Sequence, residues 1–278
     1  AGVPLLNSME TTSADAGRFY FNATFERHFM NDLYSDSDKV NDETNRQRMT
    51  DSYIFQGDYG INDNWSVTRL FSYVEHEREI GVSANSLTTS SGLGDSVLML
   101  KYTPMKINVL SKWEYAFGLG VKFATGKDDA SMQGVVLSED MQPSSGANSL
   151  VGWGYVGRSL DQAAQKQVFM SANYSLNQDN DRQYGFGNEF NISVGGSYTM
   201  MDNWAFSAQL RYRTTKADER DGHAIPNTGG SWLDLLPGVQ YRLDEKSAIS
   251  VAARIPLYRD LDGALQFTTT HSFSLTYS

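Results

Sequence analysis

The sequence predicts an all-β protein, a transmembrane antiparallel β-barrel of about 12 strands with short periplasmic turns and long extracellular loops. Three observations carry this. Runs of about ten residues alternate apolar and polar side chains, the period of a strand with two unlike faces. The connections between the runs alternate short and long. A Tyr-turn device recurs at short connections: Tyr59 to Trp65, Tyr198 to Trp204, and Tyr241 to Ser247.

In each copy an aromatic ends one strand, an Asp/Asn-rich or charged turn reverses the chain, and the next strand starts six positions after the tyrosine. Amphipathic rings beside a tight turn suit a hairpin leaving a bilayer, because the ring settles at headgroup level. Tyr59, Trp65, Trp113, Tyr198, Trp204 and Tyr241 are the expected membrane-interface aromatics.

The strands follow in order. The first runs near 17–28 on Phe19, Phe21, Ala23 and Phe25, the second near 51–60, the third near 65–77 and the fourth near 94–103 on Leu98, Leu100 and Tyr102. The clearest is 112–123: Trp113, Tyr115, Phe117, Leu119, Val121 and Phe123 form an apolar wall backed by Lys112, Glu114, Ala116, Gly118, Gly120 and Lys122. Strands near 147–158, 167–177 and 188–199 come next. The run from Trp204 sets Phe206, Leu210 and Tyr212 against Gln209, Arg211 and Arg213. Runs near 232–243, 247–257 and 265–277 bring the count to twelve, an even number, as a closed single-chain barrel requires. Three residues resist the pattern. Arg69 falls on the apolar face, where a bulge or shifted register is expected to move it. Pro237 and Pro256 lie inside strands, where bulges or strand ends are the expected escape.

Composition narrows the class further. The chain has 278 residues and a formal net charge of −10, which excludes the basic footprint of a nucleic-acid binder. Mean hydropathy is −0.44, and no run reaches the roughly 18 apolar residues of a transmembrane helix. Cysteine is absent, so disulfides and thiolate metal sites are excluded. The expected organisation is a tail at 1–16, a candidate lumen plug, and one barrel over 17–278.

The polar strand faces supply the expected pore lining: Asp58, Asp95, Lys101, Lys112, Glu114, Lys122, Arg211, Arg213, Asp234, Arg242 and Arg254. Opposed charges there would select solutes by size and sign. The competing reading pairs these groups with one another and fills the lumen. Chemistry has weaker support. Of the four histidines, His271 adjoins Ser272, but neighbours on a strand point to opposite faces, and an interfacial role fits it better. The acidic loop residues Asp32, Asp36, Asp38, Asp42 and Glu43 lack the spacing of a calcium loop. No catalytic residue, metal site or cofactor is expected.

Several stretches resemble the outer-membrane family described as the MetA pathway of phenol degradation, a group of porin-like transporters. They are Gly92-Leu93-Gly94-Asp95 leading into Lys101-Tyr102, Pro143-Ser144-Ser145-Gly146, the Tyr-turn device, and Pro256-Leu257-Tyr258-Arg259-Asp260-Leu261-Asp262-Gly263. The likeness spans roughly 50–278 and implies passage of small, aromatic or hydrophobic compounds. The end departs from the usual aromatic finish of such barrels, since Ser278 follows Tyr277. The expected function is an outer-membrane channel for passive diffusion in a Gram-negative cell. Its expected partners are outer-membrane lipid, lipopolysaccharide and an unidentified solute, with a monomer left open. The alternatives are a plugged scaffold barrel and, less favoured, a barrel lipid hydrolase.

Overall fold

The computed structural model describes residues 14–81, 87–108, 111–201 and 203–278. Thirteen strands form one antiparallel sheet. They are β1 (Phe19–Met30), β2 (Gln47–Gly60), β3 (Trp65–Glu79), β4 (Thr88–Leu93), β5 (Ser96–Met105), β6 (Trp113–Phe123) and β7 (Ser149–Ser159). They continue as β8 (Lys166–Asn177), β9 (Glu189–Met200), β10 (Trp204–Thr215), β11 (Gly230–Arg242), β12 (Ala248–Leu261) and β13 (His271–Tyr277). The first strand pairs with the last, from Ala23 opposite Tyr277 to Phe29 opposite His271, and β2 pairs with both β1 and β3, so the sheet closes. β4 lies along the Tyr73–Arg78 part of β3 and β5 along Trp65–Leu70. The two share one stave, broken at Gly94-Asp95, and the barrel therefore has twelve staves. Among the described residues, closure pairs each of the twelve staves with a neighbour on both sides, the condition for backbone that spans lipid, while β4 at the long-loop end pairs with β3 alone.

Alternation decides the two faces. Along β3, Ser66, Thr68, Leu70, Ser72, Val74 and His76 are buried, while Trp65, Arg69 and Phe71 are exposed outward. The outward face of β6 is more open still, with Leu119 62% exposed beside Phe117. Large apolar side chains this exposed fit a surface whose solvent is lipid. The six aromatics expected at the interface are all exposed beside short turns, and Trp65–Tyr102 and Trp204–Tyr241 meet across strands at 4.7 and 4.8 Å. Asp202, inside the second device, falls outside the described residues.

The resistant residues behave differently from one another. Arg69 is not moved: it stays outward and exposed, opposite Gly57 and Leu98 in unbroken register. Its long stem can lie on apolar surface while the guanidinium reaches a polar layer. Pro256 is accommodated by the expected irregularity. It faces Asp234 directly while Tyr258 faces Leu233, which leaves Leu257 as the extra residue of a bulge. Pro237 sits opposite Ala208 on β10, and the β12 register gives it no partner.

Inside the wall formed by β2, β3, β5, β6 and β7 is a small apolar core: Ile54, Leu70, Val97, Met99, Ala116, Val151 and Trp153. Gly118 makes room for it, since a Cβ there would stand 2.7 Å from Met99 Sδ. At the long-loop end, three short sheets brace the connections. Asp32–Ser35 pairs with Asp38–Val40 and with Gln266–Thr268; Tyr184–Gly185 pairs with Glu219–Arg220, which pairs with His223–Ala224; Ser131–Met132 pairs with Val135–Val136. Of the tail expected as a plug, residues 1–13 fall outside the described residues. Ala14 is buried at the turn end, where Gly17 N–H donates to Gly60 O at 2.8 Å and Lys106 Nζ to Ala14 O at 3.4 Å.

Candidate functional site

The strand period carries most of the expected pore residues to the inward face, but three surroundings separate them. Asp58 and Lys101 are enclosed in the packed half. Lys101 Nζ lies 3.5 Å from Asp58 and 5.2 Å from the Trp153 ring centre, and Gln56 and Thr68 also donate to Asp58. With the Lys101 side chain 0% exposed, this pair borders no open space, contrary to the expectation. Asp95 is equally enclosed.

Arg211, Arg254 and Asp234 lie on the other half, each in polar contact with its own partners. Arg259 Nη2 donates to Asp234 at 2.8 Å, Arg254 stands 3.5 Å from Glu26, and His28 contacts Glu26 at 2.8 Å. Arg211 Nε donates to Ser193 at 3.4 Å. Higher on the same face, Arg213 pairs with Glu189 at 3.3 Å and lies 3.8 Å over the Trp232 ring. Glu114 is buried near the turn end of β6. Lys112 and Arg242 correct the expectation. Lys112 precedes β6 and Arg242 ends β11, and both are exposed at the turn rim, because the strands stop before they reach the wall.

The third surrounding is a loop. Residues 124–148 join β6 to β7, and their second half turns inward. Met141, Gln142, Ser144 and Ser145 are at most 1% exposed. The chain is held by polar bonds from the whole adjoining wall. Ser144 and Ser145 hydroxyls donate to Asp95, the Ser145 bond at 2.6 Å, and Lys122 Nζ donates to Ser145 Oγ at 2.8 Å while lying 3.3 Å from Asp95. Ser90 Oγ donates to Met141 O at 2.5 Å. Gly146 turns the chain at φ +67 against the Asp128 carboxylate, a conformation and a space that both favour glycine. Asp95 can enter this site because the stave breaks between β4 and β5.

At the loop tip, two carboxylates meet four arginines. Arg182 donates to Glu139 at 2.8 and 2.6 Å, and Arg220 stands 3.7 Å from the same carboxylate. Arg48 lies 3.0 Å and Arg78 3.9 Å from Asp140. The hydrogen bonds to Glu139 raise the Arg182 pKa. Burial, and then its bond to Asp218, push the Tyr184 hydroxyl well above the usual tyrosine range. The tip roofs a cavity of about 930 Å³ at the long-loop mouth, whose floor includes Val97, Val151 and Lys122. Its wall carries Arg213 and Glu189, with Tyr184, Phe186, Trp232 and Phe267 as aromatic lining.

Residues that sequence reasoning did not single out here are Arg259, Arg48, Arg182, Glu139 and the infolded serines. A signal was present for the last. Gly92-Leu93-Gly94-Asp95 and Pro143-Ser144-Ser145-Gly146 are two halves of one contact. No group of three or more histidine, cysteine or acidic side chains arranged to hold a metal occurs among the described residues. His271 is exposed and stacks on Phe29 at 4.6 Å, while its neighbour Ser272 is buried on the opposite face.

A family model described as "Putative MetA-pathway of phenol degradation" matches residues 36–260. No curated protein matches significantly. Among solved structures, an outer-membrane channel from Pseudomonas putida F1 is similar over 97% of both chains, with a TM-score of 0.76 at 13% identity. The CymD monoaromatic hydrocarbon channel is similar over 95% of this chain and 88% of its own, with a TM-score of 0.53 at 10% identity. At these identities the likeness establishes a shared outer-membrane barrel fold.

Proposed function

We propose, for a chain that belongs to the MetA-pathway phenol-degradation family, a channel for passive diffusion of small molecules across the outer membrane. The observation that carries this reading is the cavity of about 930 Å³ under the long loops, which descends beside the infolded loop to Lys122. A solute enters among the loops, passes the loop tip at Glu139-Asp140 and follows the polar half past Arg213, Arg211 and Arg254. The packed half is support. The aromatic lining suits solutes with an aromatic or hydrophobic body, the class named for CymD. The protein performs no covalent chemistry in this reading.

Purified protein in a planar bilayer should conduct in small discrete steps, and liposomes carrying it should swell in small solutes. A silent bilayer together with no swelling would overturn the channel reading in favour of a scaffold barrel.

A further inference from the structure

The chain as a whole is acidic, with net charge −10, yet the cavity at its mouth is not. Among the described residues, seven cationic side chains line it against four carboxylates, Glu139, Asp140, Glu189 and Asp218; Arg46 and Lys122 are held by Asp42 and Asp95 outside the lining, which leaves five arginines facing those four. Each of these four is already engaged: Glu189 by Arg213, Asp218 by the Tyr184 hydroxyl, and the loop-tip pair by two arginines apiece. Sharing leaves Arg78 and Arg220 as the weaker claimants, at 3.9 and 3.7 Å. The buried Nε atoms of Arg48 and Arg78 have no hydrogen-bond partner among the described residues. Guanidinium donors in excess of carboxylates, inside a walled cavity, are a site for a planar oxyanion.

The same arginines define the rest of the ligand. Arg220 lies 5.3 Å over Tyr184, Arg213 3.8 Å over Trp232, and Arg46 4.2 Å over Phe267. Each pair sets an apolar ring beside a cation. A bare inorganic anion would use only half of that surface. A ring bearing a carboxylate uses both, setting its body against Phe186 and Phe267, the half-buried rings of the lining, while its oxygens take the guanidinium donors.

We infer that the vestibule captures small aromatic carboxylates, and that this class is the preferred solute of the channel. The inference rests on the channel reading and adds the sign and shape of the cargo. Field focusing in a walled cationic mouth raises local anion concentration, so a rate advantage on the order of tenfold is expected.

The test uses the full chain in proteoliposomes, with benzoate, benzyl alcohol and benzylammonium as probes of one size and three charges. Benzoate should enter about tenfold faster than benzylammonium, with benzyl alcohol between, and its rate should saturate. A double variant, Arg78→Gln with Arg220→Gln, should reduce the preference to about twofold and weaken the saturation. Arg158→Gln, which removes an outward arginine over Trp113, should leave the preference intact. Conducting protein with equal rates for the three probes overturns the inference and leaves the channel standing. A double variant that conducts with full preference also overturns it. Protein that passes nothing removes the channel reading itself.

Discussion

On the side of the barrel built by β2, β3, β5, β6 and β7, the inward residues include an apolar cluster of Ile54, Leu70, Val97, Met99, Ala116, Val151 and Trp153. On the side built by β9 to β13 and β1, the corresponding positions hold Asn191, Arg211, Asp234, Arg254, Glu26 and His28. Both sides turn apolar residues outward to lipid, and only the interior differs. One half is packed like a soluble core, with the Asp58–Lys101 pair sealed in. The other half is a network of partnered charges. A twelve-stave barrel is wider than side chains from an eight-strand barrel just fill. In the channel reading, filling one half routes the solute along the other, and the infolded loop narrows the entrance.

The largest test of this division is Trp153→Ala. It removes the largest side chain of the packed half and should destabilise the barrel by about 3–5 kcal/mol. Urea unfolding in detergent measures that loss. Single-channel conductance should change little, because the excavated space is apolar and backed by Met99 and Leu70. A large rise in conductance would show that the packed half is a blocked second path.

Much of this architecture was legible in period two. Strand number, turn parity and the outward aromatics followed from alternation, which lipid enforces at every strand. The inner packing was partly legible. Ser96-Val97-Leu98-Met99-Leu100-Lys101-Tyr102 is apolar at successive positions, the mark of a strand buried on both faces, and its Leu98, Leu100 face drew the attention. The infolded loop left no periodic trace. Most of its buried side chains beside Met141 are polar, Glu139, Gln142, Ser144 and Ser145, held by hydrogen bonds within the loops and to Asp95, so the segment looks like any polar loop. Arg259 escaped because the bulge at Leu257 breaks the alternation that would have assigned it inward.

A smaller effect on stability, with a larger one on passage, is expected at the loop anchor. Asp95→Ala strips the acceptor from Ser144, Ser145 and Lys122 at once. The loss should be about 1–3 kcal/mol, because Lys122, 15% exposed, can turn to cavity water. The released loop should raise the conductance step severalfold and shorten the closed times. An unchanged step with normal folding would mean that the loop tip, rather than its root, sets the constriction.

The smallest effect belongs to pH, and it separates those two parts of the loop. Burial alone would raise the Asp140 carboxyl, but Arg48, Ser138 and Arg78 outweigh it and hold it at about 2, below its ordinary 3.8. A carboxylate depressed in the closed loop and ordinary in the open one supports closure fully above its ordinary value. That support is lost as pH falls through about 2. The side chain is 51% exposed, so solvent screens the pair and the effect stays modest. Conductance recorded on descending pH should hold steady to about 4 and then rise by less than about twofold. Asp140→Asn should remove that rise while keeping the neutral-pH step near its low-pH value. A rise centred well above 4, or one that survives in the asparagine variant, would transfer control of the constriction from the tip to the Asp95 anchor.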